Sequence, residues 1–162
     1  MDLIQNPKRF KRTDIWRDGK WIDLWSVVHF LSGISIGLGF YFLHVETFAS
    51  VALALVSLIA YEMWERLMRM EETFANGCMD VVIGMLSFLV AFFILAPLVS
   101  GTVLLYGFGF VLFVDVAMSV FGWRASQKAA ALQKRILTRY ATERARLLRQ
   151  KTQLQNKFKL DR

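Results

Sequence analysis

Apolar runs of about 20 residues alternate with short polar stretches along this chain, and that alternation predicts four membrane-spanning helices. The first is LWSVVHFLSGISIGLGFYFLH, about residues 24–44. The second covers about 47–67, the third about 79–98 and the fourth about 101–121. At about 1.5 Å of rise per residue, each is long enough for a hydrocarbon core of about 30 Å. The connections at 45–46 and 99–100 are very short, so neighbouring helices should form antiparallel hairpins. Pro97 fits the end of the third span.

Beyond Gly122 the pattern changes, with no further Gly or Pro. Ala129, Leu132, Ile136, Tyr140, Leu147, Leu154 and Phe158 make a narrow apolar stripe, and the other faces are basic. The predicted fold is all-α: a polytopic membrane protein, a four-transmembrane-helix bundle with a long basic cytoplasmic C-terminal helix. Its predicted segments are a basic N-terminal interfacial segment (1–22), the transmembrane domain (23–122) and a basic amphipathic helix (123–162).

Composition agrees with the pattern. Of 162 residues 56% are hydrophobic and the mean hydropathy is +0.40, too apolar for an ordinary soluble domain. The first 20 residues are polar and basic, so no secretory signal peptide is expected. Cys78 is the only cysteine, which excludes an internal disulfide, and its expected role is that of a small buried hydrophobe.

Charge sets the orientation. All 20 Lys and Arg fall in the N-terminal segment, the 66–78 connection or the tail, and none falls in the other two connections. The positive-inside rule then places both termini in the cytoplasm. Trp16, Trp21, Trp25, Trp64 and Trp123 lie near that boundary, as an interfacial aromatic belt would. From Arg124 onwards, 12 Lys and Arg face only Glu143 and Asp161. The expected partners are the lipid bilayer and, for the tail, anionic lipid head groups. A protein partner or homo-oligomer through a coiled coil is the runner-up, and the membrane tether ranks nucleic acid below both.

The polar residues are concentrated at one depth. Asp23 stands at the mouth of the first span and His29 about 7 Å inside it, counted from Trp25. Glu62 and Glu65 end the second span, Asp80 opens the third, and Asp115 lies two turns before the inner end of the fourth. Ionisable groups in a span are costly and normally face a bundle interior or a wet cavity. Converging ones are a site hypothesis. The plainer alternative is a salt-bridged helix end, with Glu62–Arg66 and Glu65–Arg69 each four apart. It does not account for His29, Asp80 or Asp115. Glu71 and Glu72 read as plain loop acids.

Two motifs stand out together. Asp23-Leu-Trp-Ser26-Val-Val-His29-Phe-Leu-Ser-Gly33 opens the first span, and Glu62-Met-Trp64-Glu65 is followed by Asn76, Asp80 and Gly84. The combination resembles the VanZ-like group of small bacterial membrane proteins over about residues 20–95. The resemblance implies a bacterial cytoplasmic (inner) membrane and points to Asp23, His29, Glu62, Glu65, Asn76 and Asp80. The sequence departs from it at Gly84, where many relatives carry Asn, and in its basic tail. Gly33-x-x-x-Gly37 is a small-residue face for close packing, expected within the bundle, and Gly107 and Gly109 read the same way.

Two functions follow. One is a membrane-embedded enzyme or binding site for a polar head group, lipid-linked or from the envelope. His29 with Glu62, Glu65, Asp80 and Asp23 would supply acid and base, or N and O donors for a divalent metal. The other is a non-catalytic subunit or scaffold whose tail recruits lipid or a partner. No Ser-His-Asp triad, HExxH or phosphate loop selects a reaction or a cofactor. Proton or ion passage is weaker, because the outer half holds little beyond Glu46 and His44.

Overall fold

The computed structural model describes residues 15–16, 21–67 and 74–160, with side chains as far as 153. The expectations for the rest of the N-terminal segment and for Arg69, Glu71 and Glu72 lie outside the described residues. The described residues hold four helices: α1 (Leu24–Phe42), α2 (Thr47–Leu67), α3 (Phe74–Leu98) and α4 (Gly101–Leu160). All four are long and apolar enough to cross a membrane. The described residues divide into two units, one within 15–126 and one within 127–160.

Within the first unit the usual distribution of side chains is inverted. Ser26, His29, Ser50, Glu62, Asn76, Asp80 and Ser87 are buried, while Phe48, Phe74 and Leu98 are each more than 70% exposed. The inward stripe of α2 is Ser50, Ala54, Leu58, Glu62 and Glu65, at helical spacing. Small residues let the backbones approach. A Cβ on Gly33 would stand 2.1 Å from the Gly84 carbonyl oxygen, and one on Gly37 would stand 2.9 Å from that of Phe88. The Gly33/Gly37 face therefore packs inside the bundle, against α3. A Cβ on Gly84 would stand 2.8 Å from the Leu58 side chain and 3.3 Å from the His29 carbonyl oxygen, so a larger residue there must displace Leu58.

The structure corrects several expectations. Gly107 and Gly109 have open space where a Cβ would go and make no close packing face. Trp16 and Trp25 are core residues rather than belt residues, because Gly122 admits both rings, which pack at 5.2 Å. Trp21, Trp64 and Trp123 are exposed. Cys78 is exposed too, since Asn76, Gly77 and Asp80 take the inward face of α3. That helix starts at Phe74, about a turn and a half earlier than expected.

Pro97 does not end the helix at once. Ala91–Leu95 widens into a π-turn in which the Ala96 amide reaches the Ala91 carbonyl, and the chain stays helical to Leu98. A π-bulge of this kind accommodates a residue that lacks an amide hydrogen. The fourth span and the tail form one helix, because Gly122 alone costs only about 1 kcal/mol of propensity.

Candidate functional site

The site begins with a helix cap. Asp23 Oδ1 accepts the Trp25 and Ser26 amides at 2.8 and 3.3 Å, and the Asp23 amide donates to Ser26 Oγ at 3.2 Å. This reciprocal capping box fixes the start of α1. It also leaves the Ser26 hydroxyl free to donate to Asp80 Oδ1 on α3. Asn76 Nδ2, one turn before Asp80, donates to Asp23 Oδ2 at 3.0 Å and to Asp80 Oδ2 at 3.2 Å. Both Asp80 oxygens thus accept a hydrogen bond, and the amide keeps the two carboxylates apart.

His29 lies one turn along α1, fully buried. Its Nδ1 is 3.1 Å from the Trp25 carbonyl oxygen. A carbonyl only accepts, so Nδ1 carries the proton. The opposite nitrogen, Nε2, stands 3.0 Å from Glu62 Oε1 on α2. That is ion-pair distance, yet it misses the direction of a ring N–H bond. Neither Nε2 nor either Glu62 oxygen has a hydrogen-bond partner among the described residues. One nitrogen of His29 and one oxygen each of Glu62 and Asp80 lie within 4.8 Å of one another, all buried. Glu62 does not pair with Arg66, whose guanidinium lies over the Phe74 ring at 5.4 Å.

The remaining acids sit apart from this triad. Glu65 is buried and faces the Tyr61 hydroxyl, which also neighbours Ser119 on α4. Asp115 accepts from Ser32 Oγ at 2.9 Å. Ser32, Ser35, Ser57, Tyr61 and Asp115 line a cavity of about 370 Å³ between α1, α2 and α4. The Tyr61 ring packs edge-on against His29 at 5.0 Å and so stands between the cavity and the triad.

The structure therefore brings together His29, Glu62 and Asp80, with Asp23 and Asn76 behind Asp80, and leaves Glu65 facing Tyr61. Ser32, Ser35, Ser57 and Tyr61 escaped the sequence reading. The available signal was a row on α1 at strict spacing of three: Ser26, His29, Ser32, Ser35. Three residues fall about 60° short of a full turn, so the row winds around the helix. It meets Asp80 on α3, then Glu62 on α2, then Asp115 on α4. Comparison with protein families, curated proteins and solved structures finds no match for this chain.

Proposed function

We propose that this chain is a multi-pass protein of the bacterial cytoplasmic membrane, both termini inside, whose interior centre binds or acts on a polar head group that is lipid-linked or part of the envelope. The VanZ-like resemblance supports this reading through Asp23, His29, Glu62, Asn76 and Asp80. The observation that carries it is the cavity of about 370 Å³ beside the His29–Glu62–Asp80 cluster. Its size lies in the range of small-molecule pockets. Four hydroxyls and Asp115 supply the acceptors of a wall otherwise formed by Ile36, Leu58, Phe108 and Leu112. Such a wall suits a head group that donates through hydroxyls or amines.

The scaffold reading draws on a different observation. The Asp23–Asn76–Asp80–Ser26 network of hydrogen bonds ties α1 to α3. It does not require the cavity. Native mass spectrometry of the full chain in detergent, titrated with a polyprenyl-phosphate-linked sugar and with phosphatidylglycerol, separates the two. The expected result is retention of the sugar lipid, weakened about 10-fold or more in Asp115→Asn, since a hydrogen bond to a charged group contributes about 1.5–3 kcal/mol. Equal retention of both lipids by wild type and variant would sink the head-group reading. Retention of phosphatidylglycerol that disappears when the chain is cut after Ser126 would favour the scaffold with its basic tail.

A further inference from the structure

Two carboxylates and an imidazole share a buried space in which, among the described residues, no Lys or Arg pairs with Glu62 or Asp80. The imidazole is the cationic partner within reach: Nε2 stands 3.0 Å from Glu62 Oε1, off the direction of a ring N–H bond. We propose that His29 Nε2, Glu62 and Asp80 bind one divalent transition-metal ion, of the zinc or manganese class. This deepens the reading of the interior centre given above and rests on it for location only.

Four observations point the same way. The Nδ1–H of His29 is engaged by the Trp25 carbonyl, which fixes the tautomer that offers the Nε2 lone pair outward; ligating histidines usually carry such a partner. Glu62 is 4% exposed, its Oε1 stands 3.0 Å from that nitrogen, and neither of its oxygens has a hydrogen-bond partner among the described residues. Asp80 is oriented by one hydrogen bond on each oxygen, from Ser26 and from Asn76, and each oxygen keeps a further lone pair. A dication with two carboxylates and a neutral imidazole is uncharged overall, the least costly state in a low-dielectric interior. Metal bonds of about 2.0–2.2 Å at tetrahedral angles put ligand atoms about 3.3–3.6 Å apart, so the 4.8 Å set closes on an ion with a shift of about 1 Å in its side chains. One nitrogen and two carboxylates suit Zn²⁺ or Mn²⁺ better than a thiolate-seeking ion.

The test uses the full chain with Cys78→Ser and His44→Ala, which removes the only thiol and the second imidazole. The protein is stripped with a chelator in detergent and titrated with Zn²⁺ and with Mn²⁺. One ion per chain should bind, and the thermal midpoint should rise with metal concentration. Glu62→Gln and Asp80→Asn keep the side-chain shape and should weaken affinity about 10–100-fold or more and remove the midpoint rise. Folded wild-type background that binds neither ion, or folded variants that bind as it does, would overturn the assignment and leave a His29–Glu62 ion pair. Should a variant fail to fold, stoichiometry and midpoint of the parent decide. Metal binding without sugar-lipid retention would sink only the head-group reading, and the reverse would sink only the metal.

Discussion

Replacing Gly33 by Ala adds one methyl group where two backbones meet. The new Cβ would stand 2.1 Å from the Gly84 carbonyl oxygen and 2.0 Å from Ser87 Oγ. Ser87 can rotate, although it now donates to that same carbonyl at 2.9 Å. The carbonyl belongs to α3 and cannot. A C···O contact relaxes near about 3.3 Å, so the helices must part by roughly 1.2 Å at this level. Overpacking of this kind costs about 1–3 kcal/mol. The separation also loosens the Ser26–Asp80 and Asn76–Asp23 contacts, each worth about 0.6–1.7 kcal/mol between membrane helices. The expected loss is about 2–5 kcal/mol. Unfolding in mixed micelles with rising dodecyl sulfate, followed by the fluorescence of the packed Trp16–Trp25 pair, measures it. Gly107→Ala is the control. Its Cβ meets open space, and the gain in helix propensity should stabilise it by up to about 1 kcal/mol. A Gly33→Ala protein within about 0.5 kcal/mol of wild type would refute the α1–α3 contact.

His44 occupies the left-handed region with φ 51°, closing a Schellman turn in which Val45 donates to Phe40 and His44 to Tyr41. His44→Gly should therefore stabilise the chain by about 0.5–1 kcal/mol in the same unfolding assay, and a loss would contradict the turn. Asn76→Asp turns the amide that bridges Asp23 and Asp80 into a third carboxylate, and about 3–5 kcal/mol should be lost, read as a lower unfolding midpoint above pH 7. The Phe48 and Ala49 amides hold the exposed Glu46 carboxyl below the ordinary glutamate value of 4.5. Its contribution is thus complete above pH 4.5 and fades as pH falls through the lower folded value; Glu46→Gln should flatten that part of the stability–pH profile. In a Cys78→Ala background, cysteines at 45 or 99 should react with an impermeant maleimide from outside intact cells only, and labelling from inside would reverse the topology.

The helices were legible wherever apolar runs met clear breaks, and α2 falls at 47–67 as expected. The early start of α3 was hidden because Asn76 and Gly77 have weak helix propensity. Asp23 and Asp80 engage the Asn76 amide, and Gly77 is buried beside it. The triad was visible because His, Glu and Asp stand out in an apolar span. Glu65 shares the inward face of Glu62 but lies a turn further on, so sequence depth alone grouped it with the triad. The cavity was not visible, since Ser and Tyr are ordinary in such helices.

The row Ser26, His29, Ser32, Ser35 bears on how the bundle assembles. Between helices already in lipid, hydrophobicity gives no preference for one alignment over another. A slip of α1 by one residue would turn each of these side chains by about 100° and remove Asp80, Glu62 and Asp115 from their partners together. The winding row acts as a register key with three teeth, each cut for a different neighbour. Misaligned bundles then lose several polar contacts at once, and the correct one is selected cooperatively.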